Sequence, residues 1–169
     1  MRTTFPCEGL LLGWFVPGRA FDADELHAEG MVMNQSELTE FATRYAAAWS
    51  SQDPARLAAF YAKVGSLRVN AGAPSVGRAA ITATAQGFMT AFPDMAVRLD
   101  EVHQDGSHAI FRWIWTGTNT GPGGTGKSVR IHGFEEWTIG ADRLIVESKG
   151  HYDEAEYERQ LQSGAPPAQ

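Results

Sequence analysis

The sequence predicts an α+β domain in which a curved antiparallel sheet wraps three N-terminal helices. Two patterns carry this expectation. Apolar residues recur at three- and four-residue steps in segments before residue 92, and from residue 95 onward they alternate with polar ones. Helices and strands segregated in this way indicate α+β architecture rather than repeated βαβ units. A strongly curved sheet over one helix layer leaves a cone-shaped cavity between them, the kind of place where small ligands bind.

Each element follows from local chemistry. The first helix is expected to start near Asn34 or Ser36, where Glu37 and Glu40 suit the positive helix end, and to run to about Ser51. Leu38, Phe41, Tyr45, Ala48 and Trp49 give it one apolar face. Asp53-Pro54 signals a second helix, Asp53 as cap and Pro54 at the first helical position, with Leu57, Phe60 and Tyr61 buried. Ser66 to Asn70 reads as a short strand and residues 71–77 as a loop. The third helix spans about Arg78 to Ala91 and is stopped by Phe92-Pro93-Asp94, because proline cannot continue a helix. Four strands follow: Met95 to His103, His108 to Thr116, Ser128 to Ile139 and Arg143 to Tyr152. Asp105-Gly106 marks the first hairpin, and the glycine-rich stretch from Thr118 to Lys127 is a loop. A short helix from Asp153 to Leu161 closes the chain.

A length of 169 residues suits one domain able to bury a core without disulfides or metals. A formal charge of −6 at pH 7 lacks the basic footprint of a nucleic-acid binder and disfavours attachment to anionic membranes. The lone Cys7 forms no internal disulfide and reads as a bystander. No Cys/His cluster has metal spacing. Gly126-Lys127-Ser128 lacks the upstream glycine of a phosphate loop and leads into a strand. Leu10 to Val16 is too short to span a bilayer. Residues 1–33 read as a flexible extension or a mis-assigned start, 34–162 as the domain and 163–169 as a disordered tail. A cytoplasmic location is expected.

Trp49, Asp53, Leu57 and Tyr61-Ala62, then Gly77-Arg78, Ala91-Phe92-Pro93-Asp94 and the run Trp115 to Gly121, fall in a familiar order. Thr125-Gly126-Lys127, Gly133, Ile145-Val146-Glu147, Tyr152-Asp153 and Arg159-Gln160-Leu161 continue it. Over about Gln35 to Gln162 the chain resembles the SnoaL-like polyketide and ester cyclases of the nuclear transport factor two-like superfamily. The resemblance implies a cone-shaped barrel, usually a homodimer, with the active site inside the cone. It also implies an intramolecular aldol reaction without metal or cofactor, on a small, largely apolar polyketide-like ligand. Other members of the superfamily are isomerases, dehydratases, hydrolases or plain binding domains, so fold alone does not fix the reaction. The chain departs from the cyclase pattern. The cyclase acid aligns with Gly150, the cyclase histidine with Trp137 and a neighbouring polar residue with Glu135; Lys63-Val64 and Asn119 replace two further motif positions.

These departures leave a short set of candidates. Asp153 reads either as a general acid/base in the cone or as the cap of the last helix. Glu135 and Glu136 must point to opposite sheet faces, and an inward Glu135 beside Trp137 is the second acid/base candidate; the plain alternative is a surface ion pair with Arg130 or Arg112. His151 is a possible base, on a strand face with Glu147, Lys149 and Asp153 that also reads as solvated; His132 is a weaker one. Arg112 reads as a ligand clamp or as a strand-tying arginine. Trp49, Tyr45, Tyr61 and Trp137 are candidate cavity walls or core, while Trp113 and Trp115 face either the cone or a dimer partner. Two functions stay open: a cofactor-independent enzyme acting on a small carbonyl, ester or polyketide-like compound, or a binding or dimerisation module of the same fold.

Overall fold

A computed structural model describes residues 33–166. Helix α1 (Gln35–Trp49) starts at Asn34, whose side chain accepts from Glu37 N at 3.0 Å while Glu37 Oε2 accepts from Asn34 N at 3.0 Å. This reciprocal box satisfies two of the free N–H groups at the helix start. Helix α2 (Pro54–Ala58) is capped by Asp53, which accepts from Ala55 N and Arg56 N.

The expected second helix ends early. Tyr61 opens strand β1 (Tyr61–Val69) instead of closing the helix. Local periodicity lost here to tertiary pairing: Tyr61 lies beside Ile145, and a bulge between Tyr61 and Ser66 bends the strand. Gly65 sits in that bulge, where a β-carbon would stand 2.7 Å from the Ile145 carbonyl oxygen. The loop expected over residues 71–77 contains the short strand β2 (Ser75–Val76), antiparallel to β1. Gly77, at φ +83°, then turns the chain into α3 (Arg78–Ala91), a conformation that favours glycine.

The meander runs as expected through β3 (Ala96–Asp105), β4 (His108–Thr118), β5 (Ser128–Ile139) and β6 (Ile145–Tyr152), followed by helix α4 (Glu154–Ser163). The curved, unclosed sheet has the order β2-β1-β6-β5-β4-β3. All its neighbours are antiparallel except β1 and β6, which run parallel because β1 joins the meander from the helical half of the chain. Asp94 fixes the exit from α3: its carboxylate accepts from Thr118 N at 2.6 Å and Thr118 Oγ1 at 2.7 Å.

Alternation along β4 and β5 sends Phe111, Trp113, Trp115, Ile131 and Trp137 inward. Tyr45 from α1 packs edge-on against Phe60, Phe111 and Trp137, and Phe111 stacks on Trp137 at 4.7 Å. Such aromatic pairs each contribute roughly 0.5–1.5 kcal/mol beyond their buried area. Among the described residues, no helix is long and apolar enough to cross a membrane. Cys7 and the expected N-terminal extension lie outside the described residues, except Met33, which is buried against the core. Of the expected tail, Ser163 ends α4 and Ala165 N donates to Ser128 O at 2.7 Å.

Gly133 is the tightest point of the inner face. A β-carbon there would collide with Cζ2 and Cη2 of Trp113 and stand 2.6 Å from the His151 carbonyl oxygen. Overpacking of this kind costs about 1–3 kcal/mol. Gly133→Ala should therefore lower the unfolding free energy from urea titration by that amount, and a Trp113→Phe background should relieve part of the loss, since the two sites share one clash.

Candidate functional site

Strand β5 places Glu135 on the inner face, opposite Phe111 of β4 and Gly150 of β6. Its neighbour Glu136 points outward, as the strand period requires. Glu135 is only 5% exposed and makes no surface ion pair. Three donors converge on its Oε2 atom: Ser148 Oγ at 2.6 Å, Tyr45 OH at 2.8 Å and Trp137 Nε1 at 2.9 Å. Behind them, the Tyr45 and Tyr61 hydroxyls lie 2.7 Å apart. With Tyr45 donating forward to the carboxylate, Tyr61 is the donor of that pair.

Two opposed effects act on the Glu135 carboxyl. Burial raises its pKa above the ordinary carboxylate value, and the hydrogen bonds from Ser148, Trp137 and Tyr45 pull it down; burial prevails. Burial and the nearby Glu135 charge hold the Tyr45 and Tyr61 hydroxyls well above their ordinary value of 10.0, so both stay neutral donors. Because Oε2 is occupied by donors, a proton arriving at Glu135 is accommodated on Oε1, which has no protein partner among the described residues.

Glu135 lines a cavity of about 50 Å³. Five aromatic side chains line it: Trp49 from α1, Phe88 from α3, Trp113 and Trp115 from β4, and Tyr152 from β6. Leu67, Val69, Met95 and Val97 complete the apolar lining, and among the described residues no Lys, Arg or His contributes. Gly150 forms the wall next to Glu135; a β-carbon there would stand at an ordinary 3.6 Å from Glu135 Cγ. A wider surface cleft of about 460 Å³ lies between α1 and the β5–β6 turn, but its Glu37 and Arg143 pair with each other at 3.0 Å and it holds no buried acid.

The remaining candidates fall elsewhere. Asp153 is exposed and caps α4 by accepting from Glu156 N at 2.9 Å, away from the cavity wall. His151 lies on the outer sheet face, stacked on Phe134 and 3.9 Å from Glu136. Arg112 is also outside, half exposed, above the Phe134 ring and 3.7 Å from Glu101, so it is neither a cavity clamp nor a buried strand tie. The alternation of β4 and β5 puts both Arg112 and His132 on that face. Tyr45, Tyr61 and Trp137 are buried behind Glu135 instead of lining the cavity, and Trp49 does line it. Trp113 and Trp115 face the cavity, not a dimer partner. Sequence reasoning missed Ser148; its signal was a small polar residue sharing the inward face of β6 with Gly150 and Tyr152. Among the described residues, no three His, Cys, Asp or Glu side chains come together in a way that would hold a metal ion.

The SnoaL-like domain family model matches residues 42–148. A search of curated proteins found no match. Several solved structures share the fold. A hypothetical protein with a ketosteroid isomerase-like fold from Catenulispora acidiphila, solved in complex with trimethylamine, is 21% identical, with a TM-score of 0.65 over 75% of this chain and 94% of that one. A putative SnoaL-like polyketide cyclase from Jannaschia is 15% identical, with a TM-score of 0.63 over 80% and 100% of the two chains. A putative hydroxylase from Streptomyces galilaeus is 20% identical, with a TM-score of 0.65 over 77% and 98%.

The buried carboxyl has a signature in stability. A raised folded-state pKa means that the native protein keeps its proton to higher pH than the unfolded chain does. The contribution of Glu135 to stability is thus greatest below the ordinary carboxylate value and falls as pH rises from there through the raised value. Urea titrations of wild type across this window should show that decline, and Glu135→Gln should flatten it. Ser148→Ala, which removes the shortest donor, should leave the onset of the decline unchanged and extend it to still higher pH.

Proposed function

The chain belongs to the SnoaL-like domain family, and from that premise we propose that it is a cofactor-independent enzyme that moves protons on a small, largely apolar carbonyl or ester compound in the cavity. One observation carries the reading: Glu135 is held through one oxygen by three donors and has its other oxygen without a partner among the described residues, at the wall of an apolar cavity. As the carboxylate, Glu135 takes a proton from the carbon next to the substrate carbonyl onto Oε1. The C–H electron pair becomes the enolate C=C, and the carbonyl oxygen gains the negative charge. Return of the proton to a different carbon gives isomerisation; departure of a β-hydroxyl group as water, with the proton from Glu135, gives dehydration; and attack of the enolate on a second carbonyl, whose alkoxide takes the proton back from Glu135, gives cyclisation. Tyr45, Ser148 and Trp137 act through Glu135 as positioning residues.

Substrate size follows from the cavity. At about 50 Å³ it is far below the roughly 300–1,000 Å³ of sites for drug-sized ligands, which favours a compact substrate over a multi-ring polyketide. Acid/base chemistry is assigned to Glu135 and not to Asp153 or His151, which stand outside the cavity wall. Pairing into a homodimer, as the family resemblance implies, belongs to the same proposal. The outer sheet face, where Ile110 and Phe134 are half-buried, is the surface offered for it, and sedimentation should then return twice the mass of 18.4 kDa.

The catalytic test is deuterium uptake by a small ketone such as 2-pentanone, followed by NMR. Wild type should accelerate exchange next to the carbonyl, with a rate that rises as pH deprotonates Glu135. Glu135→Gln should lose about 10²–10⁴-fold. Tyr45→Phe should shift the pH profile while retaining most of the rate. Binding of ketones without any exchange by wild type would replace this reading with that of a binding module.

A further inference from the structure

Along the inner face of β6, Ser148 holds Glu135 and Tyr152 lines the cavity; between them stands Gly150, with no side chain. A glycine inside a strand weakens it and has a few physical causes: a bulge or bend, the close approach of neighbouring protein atoms, or the close approach of a ligand. The other strand glycines show the first two. Gly65 lies in the β1 bulge, a β-carbon at Gly117 would stand 3.3 Å from the Phe92 side chain, and one at Gly133 would collide with Trp113. Gly150 shows neither. It pairs in unbroken register with Val69 on one side and Glu135 on the other, and its φ is not positive. The nearest neighbours of a β-carbon there would be Arg68 O and Glu135 Cγ, both at an ordinary 3.6 Å. The strand therefore accepts a side chain at 150, and the ligand remains as the reason for its absence.

Proton transfer explains why room is needed at this point. The carbon that gives up its proton must come within about 3–3.5 Å of the carboxylate. At that distance its substituents press on the wall around Glu135, and the residue directly across the ladder is Gly150. A side chain at 150 would start 3.6 Å from Glu135 Cγ and take up the volume those substituents need. We propose that Gly150 is the specificity-determining residue of the cavity: the space beside Glu135 that its absent side chain leaves holds the substituent on the acidic carbon of the substrate. This rests on the role proposed for Glu135 and names the part of the wall that sets substrate shape. The fold gives up strand stability at this position, and the cavity gains a substrate substituted at the reacting carbon.

Symmetrical ketones test this, because their two acidic carbons are equivalent: acetone carries no substituent there, and 3-pentanone carries one methyl group. Deuterium uptake by each is followed by NMR with wild type and Gly150→Ala, on the plateau of the pH profile so that a shift in the Glu135 titration does not enter. Calorimetry gives the affinity for each. Gly150→Ala should raise the folded-to-unfolded ratio from urea titration about two- to fivefold, since alanine restricts the unfolded chain and fits the strand. It should keep acetone exchange close to the wild-type rate and lower 3-pentanone exchange about 10–200-fold, the range for one methyl group without room. The ratio of the two affinities should move the same way. A loss of stability in Gly150→Ala, which would mean that the backbone needs the glycine, overturns the inference. So does a gain in stability with both ratios unchanged, which would mean that the space is not used. The two readings fail separately. Binding of both ketones by wild type without exchange removes the catalytic role of Glu135, and selection by Gly150 is then read from the affinities. Exchange that is lost in Glu135→Gln but keeps its 3-pentanone-to-acetone ratio in Gly150→Ala leaves the catalytic role standing and removes this inference. Neither binding nor exchange of either ketone by wild type overturns both.

Discussion

A carboxyl group withdrawn from water is the constraint around which the inner half of this protein is arranged. A carboxylate in an apolar interior needs donors to replace its hydration, or it takes up a proton. Glu135 draws one donor from each of three elements: Tyr45 from α1, Trp137 from its own strand and Ser148 from β6. Those elements must meet at one point for the group to be tolerated. The helix layer, the meander and the last strand are thereby tied together at the edge of the cavity.

The same arrangement sets the division of labour. Tyr45 lies at the centre of the aromatic cluster, so the packing that stabilises the fold also aims the hydroxyl that holds the carboxyl. One oxygen belongs to the protein and the other is left to the cavity. The outer sheet face, with Arg112, His132, Glu136 and His151, carries more charge but little enclosure. Charge therefore marks the outer face, and enclosure marks the candidate site.

Most of the fold was legible in the sequence because its elements are locally consistent: the capped α1, the Gly77-led α3 and four strands of clean alternation. The failures lie where distant parts of the chain decide. Tyr61 reads as helical from its neighbours, and its strand state is set by Ile145, far away in sequence. At the site, the strand period correctly opposed Glu135 to Glu136, but it gives two faces without saying which is inside. Trp113, Trp115 and Arg112 hung on that same binary choice. Asp153 was drawn in by family position, while its short reach to Glu156 N spends it on a helix cap. Ser148 is invisible until β5 and β6 are in register.

Gly150 carries a further consequence. In the cyclases that this chain resembles, the proton-transferring acid stands at that position. Here the position is bare, and the carboxyl rises from the residue directly across the ladder, into the volume beside it. On the proposed role of Glu135, a catalytic group in this architecture is tied to a point in space and not to a place along the chain. Evolution can hand it from one strand to the next while the backbone stays unchanged, and a survey of relatives keyed to one aligned column would count such a protein as having lost its acid.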